Sequence, residues 1–271
     1  IEKFKTWYKQ NGTPLVKLKR KWDREKKILK IQASQINSNK KNLYNDLPLM
    51  IPINIAIFLS SYEKINKTII LDEKEEEFNL ENVNSNFDKP IISYFRNFSA
   101  PIKWETDTTF AEKLFILEFE NDYFTIYDTI KGIYKNIICK RIEEQPDIDI
   151  ENKLITTLKS IIRNNKSINL SLLSEILSIP TFSEIESEIN KIDPIRIYKT
   201  IDELNYLFGT KLKLELLNKL KEIEKNITKT WPEGKHERKL IETIWKLLLH
   251  SKDEEIKSKI ISYVDSNSMT L

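Results

Sequence analysis

The sequence has 271 residues, with 44 Lys and Arg against 41 Asp and Glu for a formal charge of +3, and is 40% hydrophobic and 31% charged. With 12 Phe, 10 Tyr and 5 Trp it is too rich in core-forming side chains for a disordered chain, and its length makes two domains the fair expectation. One cysteine (Cys139) excludes a disulfide framework and a cysteine-ligated zinc site, two histidines (His236 and His250) leave little for histidine chemistry, and four unclustered glycines form no phosphate-cradling loop.

Ile1 to Gln10 reads as structured, amphipathic sequence with no charged stretch leading into a long apolar run, so no signal peptide is expected. A chain that opens inside an element is expected to be a piece of something longer. From Thr13 the pattern alternates, with Val16 and Leu18 against Lys17 and Lys19, then Leu29, Ile31 and Ala33 against Lys30, Gln32 and Ser34. Ile51, Ile53, Ile55 and Ile57 give the clearest period of two, and Pro52 among them predicts an edge strand or a bulge. The run around them, Leu49 to Leu59, is the longest apolar stretch and is too short to cross a bilayer, so no membrane contact is expected. Thr68 to Leu71, Phe78 to Val83 and Ile91 to Phe95 are further strand candidates. Short alternating runs between polar turns predict an antiparallel, Ig-like β-sandwich of about a hundred residues.

After Pro101 the spacing turns helical. Leu114, Leu117, Phe124, Ile126, Ile130, Ile133, Tyr134, Ile137 and Ile138 recur three and four apart. Further helices are predicted over Ile150–Asn164, Leu170–Leu177, Phe182–Lys191, Ile195–Phe208, Lys211–Ile227, Lys235–His250 and Glu254–Val264. Breaks fall at Gln145-Pro146, Ile179-Pro180, Asp193-Pro194, Gly209 and Trp231-Pro232. Many short amphipathic helices with short links predict a superhelical, solenoid-like array. No fixed repeat length recurs, so the pattern by itself names no repeat family. The fold class is therefore β then α.

Few side chains propose chemistry. His236-Glu237 begins like a zinc-protease helix, but that chemistry needs a second His four residues on, and Leu240 stands there. His250 lies more than three turns away and off that face, so His236 and Glu237 read as exposed residues of a first turn beginning near Gly234. Residues 1–41 hold thirteen Lys and Arg, less three acids (Glu2, Asp23 and Glu25), a net of +10, with Trp7, Tyr8 and Trp22 interleaved. A nucleic-acid surface is conceivable there, but Lys17, Lys19 and Lys30 are the outward partners of an alternating strand, and acidic Asp72 to Glu81 compensates nearby. Asp147, Asp149 and Glu151 lack the glycine and spacing of a calcium loop and read as a helix N-terminus. Asp122 and Asp128 are expected to face solvent or an interhelical hydrogen bond, and Cys139 to be a small core residue.

Several stretches resemble one family. Trp7-Tyr8-Lys9-Gln10-Asn11-Gly12-Thr13-Pro14 is similar to the W-Y-x-Q-x-G-T-P run that opens the sandwich of bacterial-type aminopeptidase N, the zinc-dependent alanyl aminopeptidases. Leu49-Met50-Ile51-Pro52 resembles its L-x-I-P strand. Lys89-Pro90 through Ser93, Arg96 and Phe98-Ser99-Ala100-Pro101 resembles its K-P-x-x-S-x-x-R-x-F-S-A-P junction into the helical domain, with Asn121-Asp122 and Asp128 beyond. Asp193-Pro194 and Ser266-Asn267-Ser268-Met269-Thr270 resemble I-D-P and N-N-M-T stretches of that helical domain.

The resemblance implies a sandwich domain over residues 1–103 and a helical domain, expected to be truncated, over 104–271. In the family a zinc domain preceding the sandwich carries H-E-x-x-H, a third Glu ligand, a G-x-M-E-N segment that holds the substrate amine, and a Tyr for the oxyanion. None of these motifs is in this sequence, so no catalytic, substrate-binding or metal residue carries over, and the chain is predicted inactive alone. The implied role is the non-catalytic part of a cytoplasmic zinc aminopeptidase that trims peptides, a spacer and a helical lid whose partner is the catalytic N-terminal portion. Truncation is expected to leave an apolar end at Ile260, Ile261 and Val264. The competing reading is a binding or scaffold module for an acidic partner or a nucleic acid, with the overall charge balance weighing against the latter.

Overall fold

The computed structural model of the chain describes residues 3–36, 47–164, 168–186, 193–226 and 233–264, with side chains to residue 261. Lys40, Lys41, the Trp231-Pro232 break, the Val264 side chain and the Ser266 to Thr270 stretch lie outside the described residues. The chain forms two compact units, Ile1–Thr125 and Ile126–Leu271.

In the first unit a short helix α1 (Thr6–Lys9) precedes strands β1 (Leu15–Asp23), β2 (Ile28–Ile36), β3 (Ile51–Phe58), β4 (Lys64–Leu71), β5 (Glu75–Leu80), β6 (Ile91–Ser93) and β7 (Lys103–Thr106). They build a four-stranded sheet in the order β5-β2-β1-β7 and a three-stranded sheet in the order β4-β3-β6. The period-two pattern dictates the faces. Val16 and Leu18 of β1, Leu29 and Ile31 of β2, and Ile51, Ile53, Ile55 and Ile57 of β3 all bury in one core with Leu71, Ile92 and Phe95. Each such side chain contributes about 1.5–3 kcal/mol by leaving water.

Three strands depart from the sequence pattern. β3 is central in its sheet rather than an edge, yet β6 pairs only with its last three residues, Ala56 to Phe58. Pro52 faces Ile70 of β4 on one flank and has no β6 partner on the other, so its half of the strand is locally an edge. β5 begins at Glu75 and ends at Leu80, earlier than the run from Phe78 to Val83, because backbone pairing to β2 rather than apolar alternation recruits Glu75, Glu76 and Glu77. β7 follows Pro101, where helix is expected. Its Lys-Trp-Glu-Thr sequence carries little apolar signal, and it joins the sheet as a parallel neighbour of β1, from Leu15↔Lys103 to Leu18↔Thr106.

The helices start at α2 (Phe110–Phe119), where Thr109 and Glu112 form a capping box. α2 covers the outer face of β3, which is why Ala56 and Phe58 are buried as well as the inward isoleucines: Phe58, Ile91 and Ile116 cluster there. α3 (Tyr123–Ile142) begins at the end of the first unit and supplies most of its length to the second.

The second unit continues with α4 (Ile148–Asn164), α5 (Leu170–Leu177), α6 (Phe182–Glu186), α7 (Pro194–Lys211), α8 (Lys213–Asn226), α9 (Lys235–His250) and α10 (Glu254–Val264). Caps set several starts: Asn169 accepts from the N–H of Leu172, and Asp193 from that of Arg196, with Pro194 in the first turn. Buried stripes such as Leu154, Leu158 and Ile161 on α4 and Leu240, Ile244 and Leu247 on α9 bind the array. The buried Tyr134 hydroxyl donates to the Ile176 carbonyl at 2.7 Å. α7 crosses α9 so closely that a Cβ on Gly209 would lie 2.1 Å from the Leu247 carbonyl oxygen. On α10, Ile261 is exposed and Ile260 half-buried.

Candidate functional site

Several cations of the basic N-terminal stretch meet acids. Lys3 reaches Asp72 at 2.9 Å and Glu73 at 3.0 Å, Lys17 reaches Glu105 at 2.9 Å, and Lys30 reaches Glu77 at 3.2 Å. Hydrogen bonds from Lys30 and Gln32 hold the Glu77 carboxyl below its ordinary range. The shallow groove on this face is lined by Lys17 and Lys19 on one side and Glu75, Glu76 and Glu77 on the other. Trp7 is turned inward, its indole N–H donating to the Met50 carbonyl at 2.9 Å, and Trp22 packs against the core. Much of the positive charge on this face is thus already met by carboxylates of β5 and β7 and of the turn before β5.

One of these cations is no surface charge. Arg20 follows Val16 and Leu18 on the inward face of β1 and is 4% exposed. Its Nη2 holds both oxygens of Glu112, at 2.6 and 2.5 Å, and its Nη1 donates to the Pro90 carbonyl at 2.9 Å. Asp107 lies 3.3 Å from Nε and also takes Lys89 at 2.9 Å. Burial in this setting pushes the Tyr94 phenol far above its ordinary range. The signal was present in the sequence, since Arg20 occupies the third inward position of an alternating run.

A second polar hub joins the stretch from Arg96 to the turn between α2 and α3. Oε1 of the buried Glu120 accepts from Lys64 at 2.6 Å, Arg96 at 3.2 Å, and the N–H groups of Asn121 and Asp122 at 2.7 and 3.1 Å. Burial alone would raise the Glu120 pKa, but the Lys64 hydrogen bond, the Asn121 N–H and the Arg96 charge bring it below the usual carboxylate value. Asp122 precedes α3 instead of lying on it. Its Oδ1 accepts from Thr125 N–H at 2.9 Å and Oγ1 at 2.7 Å, and its Oδ2 accepts from Asn97 N–H at 3.0 Å. Asn97 sits at φ 56°, between Phe95 at 54° and Phe98 at 49°.

The helical candidates are dispersed. His236 lies in the first turn of α9 and meets the Ser171 hydroxyl through Nδ1, while Leu240 is wholly buried where a zinc helix would need its second His. His250 contacts the Lys246 carbonyl at 2.8 Å on the same helix. Asp147 accepts from the Ile150 N–H at 3.2 Å and from Lys140 at 3.1 Å, so it starts α4 as the sequence suggests. Asp149 pairs with Lys153 at 2.6 Å, and Glu151 is buried against a bidentate Arg141 at 2.7 and 2.8 Å. Cys139 is half-buried rather than in the core. Among the described residues, no three His, Cys, Asp or Glu side chains come together to hold a metal ion.

Comparison with known proteins assigns both regions. Residues 12–107 match the family described as "Domain of unknown function (DUF3458) Ig-like fold", and residues 111–271 match "Domain of unknown function (DUF3458_C) ARM repeats". The spacing of the helices names no repeat because they differ widely in length, with 8 residues in α5 against 20 in α3. Aminopeptidase N of Escherichia coli (strain K12) is 24% identical over 229 residues, which is 80% of this chain and 26% of that protein. Aminopeptidase N of Haemophilus influenzae is 22% identical over 208 residues, 72% of this chain and 23% of that one. The chain thus spans about a quarter of the length of these curated relatives. The crystal structure of Legionella pneumophila aminopeptidase A in complex with aspartic acid shares the fold, with a TM-score of 0.83 at 20% identity over 100% of this chain and 32% of that one. By its Ig-like and ARM-repeat domains, the chain belongs to the aminopeptidase N family.

Proposed function

We propose that this chain is the non-catalytic portion of a zinc-dependent aminopeptidase that removes N-terminal residues from peptides. The observation that carries the proposal is the pair of family matches, over residues 12–107 and 111–271, in a chain whose alignments cover only 26% and 23% of the aminopeptidase N relatives. In this reading residues 1–103 are a spacer and residues 104–271 a helical lid that limits access to the active-site chamber. α2 opens the helical series although it packs on the sandwich. Zinc and the groups that hold the substrate amine belong to the catalytic portion, the partner of this chain, and the working enzyme is cytoplasmic. Against the competing module for an acidic partner or a nucleic acid stands the pairing of Lys3, Lys17 and Lys30 with carboxylates.

The test is an amide-hydrolysis assay with alanyl-p-nitroanilide. The purified chain is expected to release no nitroaniline with or without added zinc. The same organism's polypeptide carrying H-E-x-x-H is expected to gain activity or stability when the chain is added. Zinc-dependent turnover by the chain alone would overturn the proposal.

A further inference from the structure

We propose that Asn11 is a self-modifying site, whose side-chain amide is lost to attack by the backbone nitrogen of Gly12 and replaced by isoaspartate or aspartate. Asn11-Gly12 is the one Asn-Gly pair in the sequence. It lies in the coil between α1 and β1, and both residues are exposed. Gly12 sits at φ 94°, a left-handed conformation that glycine takes at little cost and that a residue with a side chain resists. The turn therefore demands a residue without a Cβ at the place where a Cβ would shield the attacking nitrogen. Asparagine is already among the thermally labile side chains, and an exposed coil gives it room to react.

The step consumes only water. The Gly12 nitrogen forms a bond to Cγ of Asn11 while the Cγ–Nδ2 bond breaks. The proton of the Gly12 N–H passes through solvent to the departing group, which leaves as ammonia. Water then opens the five-membered succinimide at either carbonyl. Opening at the main-chain carbonyl of Asn11 gives isoaspartate, with the chain now running through Cβ and Cγ, and opening at Cγ gives aspartate. Either product sets a new carboxylate two residues from Lys9, within the basic N-terminal stretch. Isoaspartate also adds one carbon to a main chain that is anchored on both sides. Before it, the Trp7 indole donates to the Met50 carbonyl at 2.9 Å and the Gln10 side-chain amide to the Leu47 carbonyl at 2.8 Å. After it, the Pro14 carbonyl accepts from the Lys103 N–H at 2.9 Å. The added atom must be taken up between these anchors.

The test ages the full chain in warm, mildly alkaline buffer. Ion-exchange chromatography follows charge, peptide mass mapping locates the change, and protein isoaspartyl methyltransferase reads isoaspartate. The wild type is expected to gain one negative charge that maps to Asn11. Asn84, exposed in the coil between β5 and β6 and followed by Ser85, is the internal comparison, because its neighbour carries a Cβ. Conversion at Asn11 should run about tenfold or more ahead of Asn84. Asn11→Gln keeps an amide but would have to close a six-membered ring, so this variant should hold its charge over the same period. Asn11 intact when a free peptide of residues 5–17 is half converted would overturn the proposal, since the fold would then hold the two atoms apart. The same acidic shift in Asn11→Gln would overturn it by placing the change elsewhere.

Discussion

The backbone N–H of Asn97 donates to the carboxylate of Asp122 over 3.0 Å, tying a left-handed turn to the residue that precedes α3. Two stretches that resemble aminopeptidase N motifs, one ending at Pro101 and one at Asn121-Asp122, meet at this point. Arg96 completes the joint with hydrogen bonds to Glu120 at 3.2 Å and the Asn121 side chain at 3.0 Å. Left-handed backbone at a residue with a side chain costs on the order of 1 kcal/mol or more, and Phe95 and Phe98 both adopt it here. The surrounding hydrogen bonds offset that cost and hold one conformation.

Removing the central carboxylate should therefore be severe. Glu120→Ala leaves Lys64 and Arg96 without their shared buried acceptor, and breaking a buried ion pair from one side costs about 3–5 kcal/mol. Hydrogen exchange at the Asn97, Asn121 and Asp122 amides is the local readout, and protection should fall at all three. Unchanged protection would show that the turn holds without the hub.

The same group predicts a pH dependence. Glu120 titrates below its ordinary value of 4.5, so the folded state takes up its proton less readily than the unfolded state does. Its contribution is fully present above about pH 5 and is lost as pH falls through the lower, folded value. The urea midpoint of the wild type should drop between about pH 6 and about pH 3, and Glu120→Gln should have a lower midpoint at pH 6 and a shallower drop. Parallel profiles would assign the acid sensitivity to other carboxylates.

Gly209→Ala separates two opposite expectations. On an exposed helix this change stabilises by about 1 kcal/mol. At the α7–α9 crossing the new methyl would sit 2.1 Å from the Leu247 carbonyl oxygen, so the helices must move apart. A loss of about 1–3 kcal/mol is expected, with faster hydrogen exchange in α7 and α9 and no change in β1 to β3. A gain in stability would mean that the crossing is looser than the backbone separation shows.

Ile53→Ala tests the sandwich core. Ile53 is fully buried between the two sheets, and a truncation there costs about 2–5 kcal/mol, depending on how far the cavity collapses. Chemical denaturation followed by strand-specific hydrogen exchange reads it out, and a loss under about 1 kcal/mol would contradict the packing described.

Much of this architecture was legible because local signals agree with it. α5, α9 and α10 begin and end where the apolar spacing and, for α9, Gly234 place them, and β1 and β2 follow their Lys–aliphatic alternation. β7 was not legible, since Lys103, Glu105 and Thr106 look polar and their strand exists only through pairing with β1. The Glu120 hub was hidden for a different reason. Lys64, Arg96 and Glu120 lie far apart in sequence and each reads singly as a surface charge, so only the fold reveals that they share one buried oxygen. Arg20 lay between these cases, its inward position readable from Val16 and Leu18 but masked by the basic residues around it.

β5 is the outermost strand of the four-stranded sheet and opens with Glu75, Glu76 and Glu77. A foreign strand seeking to extend the sheet there would bring its backbone against a row of carboxylates, and two copies meeting edge to edge would set those rows against each other. At neutral pH the strand's own charges thus close the sheet to further growth. Acid removes that protection, so an acidified preparation is the one in which this edge becomes a template for aggregation.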